Sequence, residues 1–205
     1  MLYKKQFMNT FPFTAKAANL FIVIYGAPNL GKTVQSHKLA AALDANYVKY
    51  PVYDLEPTGP MINSILRAGV PATPVDLQRL YAQNRKDFEQ ILKIALEDRT
   101  VVGEAYIGTG IAHGMFEGVP QQLLEEINND LLLPDVSILL DGEARYSSGI
   151  ERGHRFEDDV NWEGIRDVHR ELAKAYGWEV VNANQQEELV HTDILHIVQN
   201  ASARL

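Results

Sequence analysis

Cysteine is absent from this 205-residue sequence, which excludes disulfide bonds and thiolate metal sites. The absence fits the reducing interior of a cell, and we expect a cytoplasmic protein. Basic residues are also few, because 19 lysines and arginines stand against 27 aspartates and glutamates, for a net charge of −8. That balance argues against a general nucleic-acid-binding or anionic-membrane surface, so neither nucleic acid nor membrane is an expected partner. Phosphate-binding groups should then form a local positive site on an acidic protein.

Long hydrophobic runs and metal-binding patterns are missing as well. The longest apolar run is too short to span a bilayer. The first 18 residues lack the apolar core and the cleavage site of a signal peptide, and we treat residues 1–18 as an N-terminal arm of unknown role. His191 and His196 do not have the spacing of a metal site. Since 46% of the residues are hydrophobic, residues 19–205 are expected to form one globular domain.

An octapeptide near the start of the chain carries the strongest motif, with the pattern G-x-x-x-x-G-K-T. Its residues are Gly26, Ala27, Pro28, Asn29, Leu30, Gly31, Lys32 and Thr33. An apolar, strand-like run precedes it at residues 19–25, and a helix-forming segment follows at residues 34–43. Glycines let such a loop turn its N–H groups toward a phosphate, and the helix N-terminus favours the same anion. The pattern therefore predicts a P-loop that binds ATP, with Lys32 on the outer phosphates and the Thr33 hydroxyl on Mg²⁺.

Strand and helix signals alternate along the rest of the chain. Further strands are predicted at residues 46–50, 99–103, 134–141 and 178–183, and helices at residues 60–68, 74–98, 120–129, 162–176 and 187–198. The alternation predicts an α/β fold of three layers, with a parallel five-stranded sheet between helices. Ligands bind at the carboxyl ends of such strands. The P-loop and the loops after Tyr50, Gly103 and Asp141 should therefore converge.

Glu104 follows a predicted strand at the same edge of the sheet as the P-loop. A carboxylate in that position can orient an attacking oxygen or bind Mg²⁺ through water. We therefore predict that Lys32 and Glu104 are catalytic, and that Thr33 and Glu104 form the metal site. The alternative is a buried carboxylate paired with a lysine. Asp141 also ends a strand, where capping of the next helix and a role near Mg²⁺ are equal alternatives.

Several segments follow the P-loop in a characteristic order. They are Tyr50-Pro51 with Glu56-Pro57-Thr58-Gly59, the stretch Leu80-Tyr81-Ala82-Gln83-Asn84-Arg85, residues 101–106 with Thr109-Gly110-Ile111-Ala112-His113, and residues 134–141 with the stretch 152–157. Their order and spacing resemble the thymidylate kinase family from about residue 20 to residue 198. The resemblance implies a single P-loop kinase domain with a short lid at about residues 142–159. It also implies transfer of the ATP γ-phosphate to a (deoxy)nucleoside monophosphate, dTMP above all.

The same resemblance implies most of the remaining site. Residues expected to bind the acceptor are Pro51, Tyr81, Arg85, Tyr106, Thr109, Gly110 and His113. Arg152 and Arg155 are expected on the lid, where they would stabilise charge on the migrating phosphoryl group as catalytic residues. The adenine of ATP is expected near Asn182 and Ala183. Family members commonly dimerise through helices, so a homodimer is expected, with the helix at residues 74–98 as a candidate surface.

Single positions within these matches have simpler explanations too. Arg85 can be a surface or ion-paired arginine, and Tyr81 can be a core residue rather than a stacking partner for the acceptor base. The arginines of residues 142–159 can belong to a solvated loop.

Some positions depart from the family pattern, and as a result two expected contacts to the acceptor phosphate are missing. Ala105 stands where the family has an arginine, and residues 52–55 lack the family's other phosphate-binding arginine. Each lost charged donor removes about 1.5–3 kcal/mol of interaction. A monophosphate could instead be held by Lys49, Arg85 or a lid arginine. Two other functions stay open: a deoxynucleoside kinase acting on a 5′-hydroxyl, and a catalytically silent nucleotide-binding relative.

Overall fold

A computed structural model describes residues 19–144, 146, 155–156 and 159–203. The predicted N-terminal arm, most of the predicted lid, and Arg152 lie outside these residues. Within the described part of the chain, no helix is both long enough and apolar enough to cross a membrane.

Five parallel strands form a single sheet, as the alternation of strand and helix signals predicts. The strands are β1 (Phe21–Tyr25), β2 (Asn46–Lys49), β3 (Val101–Glu104), β4 (Val136–Asp141) and β5 (Glu179–Asn182). Their order across the sheet is β2-β3-β1-β4-β5. The first strand therefore lies between β3 and β4, so the loop that follows β1 opens where the chain's crossovers change direction. Ligands bind at such a point in open α/β sheets.

Helices cover both faces of this sheet and confirm the three-layer prediction. They are α1 (Lys32–Leu43), α2 (Thr58–Arg67), α3 (Pro74–Asp98), α4 (Ile107–Phe116), α5 (Gln121–Asn128), α6 (Asp159–Tyr176) and α7 (Glu187–Ser202). Side chains alternate along β1, so Ile22 and Ile24 enter one core cluster while Phe21, Val23 and Tyr25 enter the other. Both faces of the central strand are therefore buried.

The long helix α3 has the bounds that the sequence predicts, because its start is strongly encoded. The Thr73 hydroxyl accepts a hydrogen bond from the Asp76 N–H at 3.1 Å, and Pro74 occupies the first helical position. Apolar residues at helical spacing then carry the helix to Asp98.

Helix α4 corrects a prediction, because residues 106–113 were expected to form a loop. Glycine lowers helix propensity, and α4 contains three: Gly108, Gly110 and Gly114. Tertiary packing overrides that preference here. A Cβ atom on these glycines would collide with the side chains of Trp178, Arg85 and Leu124 respectively. The glycines therefore let the helix approach its neighbours closely.

Candidate active site

The loop after β1 has the backbone of a phosphate-binding loop. Gly26 has φ +145°, and a Cβ there would lie 2.6 Å from the carbonyl oxygen of Leu140, so only glycine fits. Asn29 and Gly31 have φ values of 61° and 82°. Helix α1 then begins at Lys32, directly after the loop. The positive end of a 12-residue helix therefore faces the loop.

Three consecutive carbonyl oxygens of the loop are already hydrogen-bonded. Ala27 accepts from Lys32 Nζ at 2.7 Å, Pro28 from Trp162 Nε1 at 2.7 Å, and Asn29 from the Tyr146 N–H at 2.8 Å. Among the described residues, no hydrogen bond uses the N–H groups of Ala27, Asn29, Leu30 and Gly31. Those donors remain for an anion, as a phosphate-binding loop requires.

Glu104 lies at the centre of a polar cluster at the carboxyl ends of β2 and β3. The strand register pairs Glu104 with Lys49, and Tyr47 lies two residues earlier on the same face of β2. The Glu104 carboxylate accepts hydrogen bonds from the Thr33 hydroxyl at 2.9 Å and from the Tyr47 hydroxyl at 2.6 Å. Lys49 Nζ lies 3.0 Å from the same carboxylate. Glu104 is therefore paired with a lysine, as the alternative interpretation predicts. The same carboxylate also contacts the P-loop residue Thr33.

The charge of Glu104 is set by opposing effects. Burial, with only 2% of the residue exposed, would by itself raise the pKa of the carboxyl group. The ammonium groups of Lys49 and Lys32 and the hydrogen bond from Tyr47 outweigh burial, so the pKa of Glu104 is lowered from its ordinary value. The carboxylate is therefore ionised at neutral pH and acts as an acceptor.

One cavity of about 600 Å³ joins the P-loop to this cluster and to helices α3 and α4. Most of the predicted site residues line it: Gly26, Pro28, Asn29, Leu30, Gly31, Lys32, Thr33, Pro51, Tyr81, Arg85, Glu104, Thr109, Gly110, His113 and Ala183. The structure thus brings together residues that are far apart in the sequence. Both ends of a phosphoryl transfer could be accommodated in one continuous space.

Arg85 is a buried cation of α3 that lines the same cavity, with 4% of the residue exposed. Its guanidinium donates to Asn128 Oδ1 at 2.9 Å and to the Tyr106 carbonyl at 3.1 Å, while its Nε has no partner among the described residues. No carboxylate within the described chain forms an ion pair with it. Burial lowers the pKa of Arg85. Within the described chain Arg85 is therefore neither a surface arginine nor an ion-paired one, and a buried charge of this kind makes it a candidate binding residue.

Some predicted residues lie elsewhere than expected. The Tyr106 side chain is fully buried in the core, where its ring contacts Phe21 at 5.1 Å and Tyr50 at 4.8 Å, and it is not part of the cavity wall. It precedes the first residue of α4, and its ring belongs to the core cluster that contains Phe21 and Tyr50. Asn182 does not line the cavity either, and its side chain accepts a hydrogen bond from the Asn184 N–H at 2.9 Å. The Ala27 side chain is buried in the core, and the residue contributes its carbonyl.

Arg155 is also not directed at the P-loop. It forms an ion pair with Glu117, to which it donates from Nε at 2.8 Å, and its backbone N–H donates to the Leu66 carbonyl. The prediction that it contacts the migrating phosphoryl group when the lid closes stays a prediction. Asp141 does not cap the next helix, which begins at Asp159, and Arg166 donates two hydrogen bonds of 2.6 and 3.1 Å to its carboxylate. A role of Asp141 near Mg²⁺ stays a prediction.

Sequence reasoning missed other residues of the site. Asn84 is fully buried and clamps the loop after β2, exchanging hydrogen bonds of 2.8 and 3.0 Å with the backbone of Val52. Its place in the 80–85 stretch was a signal that could have identified it. Tyr47 could have been found from its alternation with Lys49 on β2. Arg67, at the end of α2, also lines the cavity, with no local signal in the sequence.

A parallel sheet with a phosphate loop after its first strand, and a carboxylate at the end of the neighbouring strand, defines a P-loop nucleotide-binding protein. The sequence model of thymidylate kinase matches residues 24–194. The chain therefore belongs to the thymidylate kinase family, a family of ATP-dependent phosphotransferases.

Individual relatives agree along almost the whole chain. A probable thymidylate kinase of Methanocaldococcus jannaschii is 29% identical over 184 residues, which cover 89% of this chain and 97% of the relative. The solved structure of thymidylate kinase from Candida albicans superposes with a TM-score of 0.77 at 20% identity, covering 90% of this chain and 93% of that one. The thymidylate kinase structure from Ehrlichia chaffeensis gives 0.71 at 20% identity, covering 89% and 99%. At that identity the two structures show the fold.

Proposed function

We propose that this protein is a dTMP kinase, which transfers the γ-phosphate of ATP to the 5′-phosphate of dTMP and releases ADP and dTDP. The observation that carries the proposal is the single cavity, which runs from the P-loop past Glu104 to the buried guanidinium of Arg85. A donor triphosphate at one end and a nucleobase at the other would bring the two phosphates together between them. The relatives named above support the choice of dTMP.

At the donor end, the N–H groups of Ala27, Asn29, Leu30 and Gly31 hold the ATP phosphates. Lys32 carries three N–H bonds, so it can keep its contact with the Ala27 carbonyl while donating to the outer phosphates. The adenine is expected where Ala183 and Tyr146 line the cavity. The Tyr146 hydroxyl donates a hydrogen bond to the Ala183 carbonyl at 3.2 Å.

The residues present fit a bound Mg²⁺. Thr33 and Glu104 offer a hydroxyl and carboxylate oxygens within 2.9 Å of each other, and oxygen is the ligand that Mg²⁺ prefers. The described residues contain no group of three or more histidine, cysteine, aspartate or glutamate side chains positioned to hold a metal. The remaining ligands would be phosphate oxygens and water, as is usual for this ion. When bound, Mg²⁺ would neutralise charge that develops on the transferred phosphoryl group.

At the acceptor end, Tyr81 and Arg85 lie one turn apart on α3, and Thr109, Gly110 and His113 face them from α4. Arg85 Nε and the Thr109 hydroxyl are buried without partners among the described residues. Buried donors of this kind are expected to hydrogen-bond the edge of a base. The Tyr81 ring would lie against the face of the base.

During transfer, an oxygen of the acceptor phosphate attacks the γ-phosphorus in line as the bond to the ADP oxygen breaks. Glu104 orients the attacking phosphate, and with Thr33 it would hold Mg²⁺. A coupled ADP-release assay with dTMP, other monophosphates and nucleosides tests the proposal. Turnover that is fastest with dTMP supports it. Turnover only with nucleosides would assign a deoxynucleoside kinase, which Ala105 favours because it lacks the family's phosphate-binding arginine. ATP binding without any turnover would assign a silent relative.

A homodimer and a cytoplasmic location are part of the same proposal. Helix α3 exposes Ile91 and Ile94, each at least half accessible, on the surface that the sequence suggests for dimerisation. Burial of such side chains would favour association. Sedimentation equilibrium over a range of concentrations measures the assembly directly, and a monomer at all of them would remove the dimer from the proposal.

A further inference from the structure

We propose that Lys49 binds the 5′-phosphate of the acceptor, in place of the arginine that Ala105 does not supply. The inference rests on the proposed function, because it requires a monophosphate in the cavity. It deepens that function by naming the group that distinguishes a monophosphate from a nucleoside.

The position of Lys49 follows from the strand register. Lys49 ends β2 beside Glu104, the last residue of β3, and its side chain lines the cavity with 49% of its surface exposed. Its Nζ lies 3.0 Å from Glu104 Oε1 and 3.4 Å from the Thr33 hydroxyl. An ammonium group has three N–H donors. Two are engaged by these neighbours, and the third can reach an anion in the cavity.

The charges around Glu104 give the same assignment. Lys49 Nζ lies 3.0 Å from the carboxylate on the β2 side, whereas the ammonium group of Lys32 lies on the P-loop, 2.7 Å from the Ala27 carbonyl. Lys32 belongs to the donor phosphates. A second phosphate approaching an ionised Glu104 would be repelled unless a cation stood beside it. Lys49 supplies this cation, because its ammonium group offsets the charge of the Glu104 carboxylate and can also attract the acceptor phosphate.

Other cations of the described cavity region are committed elsewhere. Arg85 is engaged by Asn128 and by a backbone carbonyl at the base end. Arg155 is paired with Glu117. Arg67 lines the cavity, but its guanidinium lies 4.6 Å above the Tyr53 ring and donates to Asn63 on its own helix. Arg67 is therefore the competing cation that an experiment must separate from Lys49.

Ala105 offers an independent way to test the replacement. Its φ of 58° lies in the left-handed region, and it lines the cavity directly after Glu104. Any residue with a Cβ is disfavoured there, so alanine already bears that strain and arginine adds little backbone cost. Ala105→Arg would therefore restore a cation where the family has one.

The experiment measures the dissociation constants of dTMP and thymidine by calorimetry without ATP, so that catalysis does not enter. We expect Lys49→Ala to weaken dTMP binding by about tenfold or more while thymidine binding changes by less than about twofold. Lys49→Arg should keep most of the preference for dTMP. Arg67→Ala and the surface control Lys86→Ala should leave the ratio of the two constants near its original value.

The rescue variant completes the test. Ala105→Arg in the Lys49→Ala background should recover most of the lost dTMP affinity, with thymidine again unaffected. An unchanged ratio in Lys49→Ala, or a loss found in Arg67→Ala instead, overturns the role of Lys49 while dTMP turnover leaves the proposed function standing. If another monophosphate is the substrate, the same ratio is measured with that nucleotide and its nucleoside. Turnover of nucleosides alone overturns both proposals.

Discussion

The two ends of the cavity are built in different ways. The donor end is one contiguous loop, whose backbone holds the phosphates and whose lysine and threonine follow directly. The acceptor end is assembled from β2, β3, α3 and α4, and its functional atoms belong to side chains. Backbone recognition tolerates little change, because a glycine or a helix N-terminus cannot be replaced from elsewhere. Side-chain recognition can be redistributed, and at the acceptor end an expected arginine is alanine while a lysine stands nearby.

This difference predicts how steeply each end responds to mutation. Substitutions at the donor end should lower the rate equally with every acceptor, because the ATP phosphates take part in each reaction. Substitutions at the acceptor end should lower the rate with some acceptors more than with others. The variants below test that division, from the largest expected effect to the smallest.

Lys32→Ala should have the largest effect, lowering kcat by about 10³-fold with every acceptor, because its ammonium group stabilises the charge that develops on the transferred phosphoryl group. The coupled ADP-release assay measures the rate. Lys38→Ala is the matched control on the same helix. Lys38 pairs with Glu187 and Glu188 at the surface, so its removal should change the rate by less than about twofold. A Lys32→Ala rate within about tenfold of the original would refute the P-loop role.

Glu104→Gln should lower kcat by about 10²-fold, because the isosteric amide keeps the size of the side chain but loses its charge at the metal site. Glu97→Gln, at the exposed end of α3, is the control. If the two variants are equally active, the carboxylate has only a structural role and the two ends of the cavity are not coupled through it.

The lowered pKa of Glu104 also predicts a pH dependence. The folded state prefers the ionised carboxylate, so the stability it contributes is present above the unfolded pKa of about 4.3 and is lost as the pH falls through the lower folded value. Urea unfolding at several pH values should show a constant difference between the original protein and Glu104→Gln from pH 7 to about pH 5, and a shrinking difference below. A difference that changes near pH 6 would contradict this assignment.

Arg85→Met should separate function from stability at the acceptor end. We expect kcat/KM for dTMP to fall by about 10- to 100-fold while the affinity for ATP is unchanged. The free energy of unfolding should stay level or rise, because a buried cation without a carboxylate partner is removed. Arg79→Met, on the exposed side of the same helix, serves as the comparison variant. Equal losses of ATP and dTMP affinity would contradict the assignment of Arg85 to the acceptor end alone.

Arg155→Ala should have the smallest effect, because its partner is Glu117 rather than the P-loop. We expect kcat to change by less than about threefold, with a destabilisation of about 1 kcal/mol or less. Glu117→Ala should behave in the same way. A hundredfold loss of kcat in Arg155→Ala, with Glu117→Ala remaining active, would contradict this expectation. It would show that Arg155 stabilises the transition state, in a conformation other than the one described here.

Local patterns were sufficient for the sheet, the P-loop and α3. Each is encoded by neighbouring residues: an apolar run, glycines at fixed spacing, or a Thr73-Pro74 helix start. The features that the sequence did not predict depend instead on contacts between residues that are distant in the chain. Helix α4 forms despite its glycines because larger side chains press on it, and Tyr106 turns into the core with it. The ion pair of Arg155 with a residue 38 positions away could likewise not be read from local sequence.

The sequence by itself determined that this chain would be a parallel α/β protein with an ATP-binding loop, because backbone geometry at glycine and strand alternation act over a few residues. Only the tertiary structure decided the acceptor end. Strand register places Lys49 beside Glu104, and helix packing buries Arg85 beneath the cavity. Those contacts join residues that are distant in the chain. The effect of each charged side chain depends on its burial and on the groups beside it, which local sequence does not determine.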